Sequence, residues 1–289
     1  SHIELTAELV AATSPDSLSI TEFHDRVDVD LCKKLQAAPV LGEERADVWN
    51  IQFAQGDINL TSDRELFEVT TQTDRPPLYE GKMIHQFEPR FAQPRYRILW
   101  DKAEPILRAA RARRAKDAFK LAERSPDDVK MASLSLEVST YRLAFRDVAR
   151  NTDERSMICA MLPPNVVAGH TLVLHRPWRD IIEKDEHKEV PSLSALELFY
   201  VAAVFNSFVI DWFLRQRISA HVSMFHVYQL PVPRLTEADP RLAPVATRAA
   251  KLTCITPEFD ALAKAAGLKS HRGGVTDPEK RAQLRAEID

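Results

Sequence analysis

Glycine is scarce in this sequence, and its scarcity excludes one class of binding site. Only 7 of the 289 residues are glycine, and no two have the Gly-x-Gly spacing of loops that cradle nucleotide phosphates. The three cysteines (Cys32, Cys159 and Cys254) are too scattered for a disulfide framework, and neither they nor the nine histidines have zinc-ligand spacing. We therefore predict no nucleotide loop, disulfide framework or metal site.

Targeting signals are also missing from the sequence. It contains no signal peptide, and no apolar run reaches the ~20 residues that a membrane span needs. Ser1 and His2 resemble the remnant of a cleaved purification tag, and the helical pattern of residues 278–289 stops without an end signal. We expect a cytoplasmic protein without membrane contact, and a chain that is a piece of a longer protein.

Positive charge is concentrated in one part of a chain whose formal net charge is −3. Residues 90–124 contain eleven Lys or Arg and four Asp or Glu, a local net charge of +7. A helix predicted for residues 101–124 carries Arg108, Arg111 and Arg114 three positions apart, so the three arginines share one face. Two interpretations stay open: a solvated basic helix, or a patch facing nucleic-acid phosphates.

The longest apolar stretch follows a helix-start signal. Ser194 and Glu197 have capping-box spacing, and only four polar residues interrupt positions 195–214. We predict one central helix over residues 194–217, about 35 Å long at ~1.5 Å per residue and buried on all sides, with Trp212 in the core. Its polar residues leave too short an apolar run for a membrane span.

Shorter segments predict strands around this helix. Residues 48–53, 136–148, 156–162 and 170–175 have the alternation or the apolar character of strands. A second capping box, Ser19 with Glu22, predicts a helix over residues 22–37. Residues 180–189 are interpreted as a charged linker, without the strand context that would fix metal ligands. The predicted fold is α+β: a mixed twisted β-sheet wrapped by helices, with residues 194–217 as a long buried central helix.

Three blocks of the sequence carry a family resemblance. The first contains Asn206-Ser207, Asp211-Trp212 and the Leu-Pro-Val-Pro of residues 230–233, the second is Pro-Leu-Tyr-Glu-Gly-Lys-Met-Ile-His-Gln-Phe at residues 77–87, and the third is the charged run at residues 146–155. Together they resemble the C-terminal, TaqI-like target-recognition region of adenine-specific DNA methyltransferases. Such enzymes belong to type II restriction–modification or related phage-defence systems, and type I specificity subunits are similar more loosely.

This resemblance implies a division of the chain and a set of partners. Residues 1–18 would be a tag remnant and lead-in, residues 19–235 the target-recognition domain, and residues 236–289 a C-terminal helical segment. The partners would be double-stranded DNA and the protein's own catalytic methyltransferase domain, which holds S-adenosylmethionine in the parent enzyme, with or without a fused endonuclease. This region would read base edges and help stabilise distorted DNA while adenine is flipped.

The candidate DNA contacts come from the matched blocks and the basic stretch. They are Lys82, His85, Gln86, Arg95, Arg97, Arg108, Arg111, Arg114, Arg146, Arg150 and Arg155. If residues 82–87 form a strand after Gly81, His85 and Gln86 face opposite ways. Each of these two residues serves either as a structural hydrogen-bonder or as a base reader. The alternating charges of residues 146–155 suit a salt-bridge network as well as DNA contact.

The chemistry of adenine methylation is missing from the chain. It needs a cofactor pocket and an Asn/Asp-Pro-Pro-Tyr/Phe loop for the flipped base, but Pro76-Pro77 follow Arg75, Pro163-Pro164 follow Leu162, and no aromatic residue follows either pair. We expect a non-catalytic chain that holds no cofactor. The competing hypothesis is a helical, acidic interaction module that docks the catalytic domain or a partner subunit. Heparin retention separates the two, because a module of net charge −3 should pass through at low salt.

Overall fold

The computed structural model describes residues 6–13, 23, 25–121, 134–183 and 186–289. The tag-like residues Ser1 and His2, the capping box of Ser19 and Glu22, and the last residues of the predicted basic helix lie outside these ranges. The first described helix of that region starts at Arg26, where the Asp25 carboxylate accepts a hydrogen bond from the amide N–H of Asp28 at 3.0 Å.

Helices and strands both contribute to the described chain, which confirms the predicted α+β class. The strands are β1 (Phe53–Gln55), β2 (Phe67–Glu68), β3 (Pro77–Tyr79), β4 (Tyr96–Ile98), β5 (Arg142–Arg146), β6 (Cys159–Leu162), β7 (Val167–Ala168), β8 (Leu172–His175), β9 (Trp178–Glu183) and β10 (Glu186–Pro191). The helices are α1 (Ala7–Thr13), α2 (Arg26–Leu35), α3 (Trp100–Leu121), α4 (Ala195–Asn206), α5 (Phe208–Arg215), α6 (Met224–Tyr228), α7 (Leu242–Thr253), α8 (Asp260–Ala265) and α9 (Pro278–Ile288).

The strands form two four-stranded sheets and a hairpin rather than one mixed sheet. The first sheet is antiparallel, in the order β1-β8-β5-β6, and the second has the order β2-β4-β3-β7, with β3 and β7 parallel. Residues 48–52 precede β1 without joining a strand, since the side chains of Trp49 and Asn50 bond to loop carbonyls instead. In the stretch predicted as a strand at 136–148, a 3-10 turn, Glu137–Ser139, comes before β5.

The predicted central helix is two helices. α4 and α5 meet at Ser207 with a 56° bend, because the backbone of Ser207 is extended (φ −69°, ψ 153°). The Ser207 hydroxyl accepts a hydrogen bond from the amide of Ile210, so this serine caps a new helix instead of continuing the old one. α4 packs against α7 and β6 in the largest hydrophobic core, as its apolar surface requires.

No single helix among the described residues is long and apolar enough to cross a membrane. The bent pair of α4 and α5 together meets the length and composition of a span.

The break at Ser207 also changes the environment of Trp212. On the shorter α5, Asp211 is buried while Trp212 is half-buried at the edge of the core, and Phe208 is 65% exposed. The expectation of a fully buried tryptophan is therefore wrong. An amphipathic helix of eight residues presents only one side to the core.

We expect Trp212→Ala to lower the free energy of unfolding by about 1–2 kcal/mol, below the ~3–5 kcal/mol of a fully buried tryptophan. Urea denaturation measures this value, with Phe205→Ala as the comparison, because Phe205 is 0% exposed and stacks on Phe53. A loss for Trp212→Ala that equals the loss for Phe205→Ala would contradict the half-buried placement.

The stretch interpreted as a charged linker forms a hairpin. β9 and β10 pair antiparallel, from Trp178 opposite Pro191 to Glu183 opposite Glu186, and α3 packs on β9. Half-buried and exposed positions alternate along β9, and Asp180 lies on the half-buried side, where its carboxylate binds Arg111 of α3. The basic helix therefore has an acidic partner within the described chain.

The Leu-Pro-Val-Pro segment closes the fold against the beginning of the described core. Pro231 bridges Val40, and the amide of Leu41 donates to the carbonyl of Leu230 at 2.9 Å. Arg234 is 8% exposed, and its guanidinium donates to Asn50 Oδ1 at 2.7 Å and to the carbonyl of Leu41 at 2.8 Å. Two segments almost 190 positions apart in sequence are thus held side by side.

Candidate nucleic-acid interface

The three sequence blocks meet at Asn206, the last residue of α4. Its side-chain amide spans the backbone of Cys159: Oδ1 accepts from the Cys159 N–H at 3.0 Å, and Nδ2 donates to the Cys159 carbonyl at 2.9 Å. The Asn206 carbonyl accepts from the Gln86 amide at 3.1 Å and from the Arg155 guanidinium. One residue of the first block therefore binds one residue of each of the other two.

Asp211 fixes the loop of the third block. It is 4% exposed, and its Oδ1 accepts from the backbone N–H groups of Ser156 at 2.8 Å and Met157 at 2.7 Å. Its Oδ2 binds Arg215 Nε at 2.9 Å, and the other nitrogens of Arg215 bind the carbonyl oxygens of Asn151, Asp153 and Glu154. A buried carboxylate paired in this way positions residues 150–157 rather than contacting a ligand.

The second block forms a tight turn instead of the predicted strand. Gly81–Met83 is a 3-10 turn, and the N–H of Gly81 donates to Thr171 Oγ1 at 2.9 Å. A Cβ at Gly81 would come within 3.0 Å of the Thr171 carbonyl oxygen, so the turn packs closely on β8 only with glycine there. Phe87 has a φ of 61°, and its N–H reaches the Cys159 carbonyl at 3.0 Å.

Gln86 lies inside this junction, with 5% of its surface exposed. Its amide donates to the Asn206 carbonyl, and its own carbonyl lies 3.5 Å from Arg285 Nη2. A side chain buried in this way does not reach a base edge, so of the two roles kept open for Gln86 the structure favours the structural one.

Five side chains in or next to the second and third blocks make up what we call the motif face: Lys82, Phe91 and Arg150, which are exposed, and His85 and Arg146, which are half-buried. The Lys82 side chain is 65% exposed and lies 3.2 Å from Glu80. The rings of His85 and Phe91 stack at 4.8 Å between centroids, and 54% of Phe91 is exposed. This surface combines positive charge with an open aromatic ring, the two features that nucleic-acid-binding surfaces use.

The surroundings of His85 favour the neutral form of its imidazole. Its pKa is lowered by burial and by the positive charges of Arg146 and Arg285, against which Glu88 and Glu154 act less strongly. A neutral imidazole has one donor and one acceptor nitrogen, so it suits a base edge better than a phosphate.

Arg146 and Arg155 are half-buried and anchored to backbone. Arg146 donates through Nε and Nη2 to the Ile84 carbonyl, at 3.1 and 2.5 Å, and burial lowers its pKa. Arg155 stacks over the exposed Phe208 ring at 4.2 Å. Arg150 is exposed, and its backbone N–H binds Asp153 Oδ2 at 2.8 Å. Of the three arginines in this block, Arg150 has its side chain most open to solvent.

The predicted phosphate-facing stripe on α3 is wrong for Arg111. This side chain is 1% exposed and binds Asp180 through two nitrogens, at 2.8 and 2.5 Å, and Glu189 at 2.6 Å. Arg114 pairs with Glu137 at 2.8 Å and Arg108 with Glu104 at 2.8 Å. The three arginines of the predicted stripe are therefore each paired with acidic residues of the same chain.

The two remaining basic candidates lie on β4 and next to it. Arg95 is exposed and lies over the Tyr96 ring at 5.1 Å, while Arg97 is half-buried and donates to the Arg75 carbonyl at 3.2 Å. No described contact joins either of them to the motif face, and their contact with DNA stays a prediction.

Sequence reasoning missed two groups at this junction. Phe91 was not among the candidates, although an aromatic residue four positions after the matched block is the available signal. Arg281 and Arg285 on α9 approach the same junction from the other end of the chain, and no local pattern links them to it.

The few glycines serve packing in the described chain. Gly56 and Gly169 lie so close that a Cβ at Gly56 would overlap the Gly169 carbonyl. At this contact the two backbones approach each other directly, which a residue without a Cβ permits. Pro163-Pro164 directly follow strand β6. That the chain holds no S-adenosylmethionine stays a prediction.

Comparison with known proteins finds similar chains among solved structures. No family model and no curated protein matches the chain. Among solved structures it is similar to the type IIL restriction–modification enzyme MmeI in complex with DNA, with a TM-score of 0.39 and 14% sequence identity. The match covers 86% of this chain and 34% of the MmeI chain, so the chain spans about a third of the length of that enzyme.

Proposed function

We propose that this chain is the DNA-recognition region of an N6-adenine DNA methyltransferase in a restriction–modification or phage-defence system. The observation that carries the proposal is the meeting of all three family-like blocks at Asn206. Among the buried members of the blocks, Gln86 binds Asn206, and Asp211 binds the backbone next to Arg155. The motif face contains the more accessible side chains.

Different parts of the motif face have different roles in this proposal. Lys82 and Arg150 are exposed cations that contact phosphates and so grip any duplex. His85 is the candidate base reader, because a neutral imidazole beside the exposed Phe91 ring offers one donor and one acceptor. Adenine methylation and S-adenosylmethionine binding belong to a catalytic domain outside this chain, which is also the second proposed partner.

We expect Lys82→Ala and Arg150→Ala each to weaken binding of cognate and scrambled duplexes in parallel. The slope of log K on log salt concentration should fall by about 0.9 for each phosphate contact that is removed. Fluorescence anisotropy at four or more salt concentrations measures this slope. Arg241→Ala is the matched control, since the Arg241 side chain is also exposed but does not belong to the motif face, and it pairs with Asp239 at 2.7 Å.

If Lys82→Ala and Arg150→Ala both keep the wild-type slope of log K on log salt concentration, the motif face does not contact DNA. The competing hypothesis is the interaction module that docks a catalytic domain or partner subunit, and the exposed side chains of Val148, Phe208 and Phe225 supply apolar surface for it. An interaction module passes through a heparin column at low salt, whereas a DNA-recognition region is retained.

A further inference from the structure

A cleft beside the motif face contains two arginines without acidic partners. It has a volume of 370 Å³ and lies between α9, the loop before it and Glu88 of the second block. Arg281 and Arg285 are one helical turn apart on α9 and both line it. Within the described part of the chain, neither arginine comes within the 4.0 Å ion-pair distance of a carboxylate.

The two guanidinium groups are held differently. Arg281 is anchored through Nη1, which donates to the carbonyl oxygens of Leu252 at 2.7 Å and Val275 at 2.8 Å. Arg285 has one long hydrogen bond, 3.5 Å from Nη2 to the Gln86 carbonyl, and its buried Nε has no partner. A buried donor without an acceptor is unfavourable, and a bound acceptor would satisfy it.

The charges in the cleft indicate what it accepts. Burial lowers the pKa of Arg281, and the neighbouring charge of Arg285 lowers it further, while Glu88 acts in the opposite direction. Two arginines and one glutamate leave a net charge of +1 on these lining side chains. A singly charged group with several acceptor oxygens matches this charge, and a guanidinium fork matches the geometry of phosphate oxygens.

We propose that this cleft binds a backbone phosphate of DNA that lies across the motif face, an inference that rests on the proposed function. Arg285 connects the two surfaces, because it contacts the carbonyl of Gln86 and lies close enough to influence His85. The C-terminal helix then contributes to DNA binding, although it lies outside all three sequence blocks. Its contribution is independent of base sequence, since phosphates carry no sequence information.

The first arm of the test is a salt titration with a mixed-sequence duplex. Arg285→Ala is expected to lower the slope of log K on log salt by about 0.9, and Arg285→Lys, which keeps the charge, is expected to retain it. Arg248→Ala is the matched control, because Arg248 also lies beside α9 but is paired with Glu287 at 2.8 Å. Circular dichroism of each variant confirms that it folds. A wild-type slope for Arg285→Ala would overturn the proposal.

The second arm uses inorganic phosphate and does not depend on DNA binding. Phosphate should raise the melting temperature of the wild-type chain, because a ligand that binds only the folded state stabilises it, and should not raise that of Arg285→Ala. If the wild-type chain binds no duplex, the proposed function fails, while this phosphate-dependent shift still supports the cleft as a phosphate site. If phosphate stabilises the wild-type chain but Arg285→Ala keeps the wild-type salt slope of DNA binding, the cleft binds free anions only and the proposal is overturned. The proposal is also overturned if phosphate does not change the melting temperature of the wild-type chain.

Discussion

Asp211→Ala is expected to lower the free energy of unfolding by about 3–5 kcal/mol, the range for breaking a buried ion pair. The substitution removes the acceptor of two buried N–H groups, those of Ser156 and Met157, together with the anionic partner of Arg215. Arg155, 3.8 Å away, would also lose its nearest negative charge. No residue of the described chain replaces these contacts once the carboxylate is gone.

Urea denaturation measures this loss, and two variants serve as comparisons. Asp239→Ala removes a carboxylate whose partner Arg241 is largely exposed, so we expect a much smaller change in the free energy of unfolding. Asp211→Asn keeps an oxygen for the two N–H groups but removes the charge, so its loss should lie between the other two. Equal losses for Asp211→Ala and Asp239→Ala would show that Asp211 does not hold the loop.

Arg111→Ala is expected to destabilise the protein by about 3–5 kcal/mol, because it leaves Asp180 and Glu189 without their buried partner. The guanidinium also donates through Nε to the Ser135 carbonyl at 3.2 Å, so its loss detaches α3 both from the hairpin and from the segment before β5. Phosphate contact would predict the opposite pattern: little change in stability and a lower salt slope in DNA binding.

Arg108→Ala is the comparison on the same helix face. Arg108 is partly exposed and pairs with Glu104 one turn away, an arrangement that contributes about 0.3–0.5 kcal/mol. Thermal and urea unfolding of both variants, with a salt titration of duplex binding for any variant that remains folded, separates the two roles. If Arg111→Ala is as stable as the wild type and lowers the salt slope of duplex binding, Arg111 contacts DNA.

Periodicity and helix signals were informative about local structure. They predicted α3, β6 and β8 within a few residues, because the apolar spacing of a helix and a continuous buried strand are visible in any window of sequence. The capping box at Ser194 is present as predicted: the Glu197 carboxylate accepts from the Ser194 N–H at 2.9 Å. The break at Ser207 also had a local signal, since a serine before a short apolar run is a preferred helix cap.

Long-range pairing was beyond the reach of sequence patterns. Arg111 was placed on a basic stripe because Arg108 and Arg114 share its helix face, whereas its acidic partners lie 69 and 78 positions later, in a stretch interpreted as a charged linker. The buried Gln86 side chain donates a hydrogen bond to the carbonyl of Asn206, 120 positions away. Such contacts depend on the relative placement of distant segments, which neither charge runs nor alternation determine. The sequence therefore indicated which segments matter, but not which of their residues are buried and which are exposed.

The contact between residues 230–234 and residues 39–43 determines where this chain can be cut when it is transplanted into another protein. Arg234 binds the carbonyls of Val40 and Leu41, and Tyr200 donates its hydroxyl proton to the Pro233 carbonyl at 2.8 Å. Residues 39–43 and residues 230–234 therefore form one contact. A chimera that keeps only one of these segments would leave the buried Arg234 guanidinium, or the carbonyls that it binds, against residues of the other protein. Breakpoints placed upstream of Pro39 and downstream of Leu235 retain both segments, so the transplanted region keeps the contacts that join its two ends.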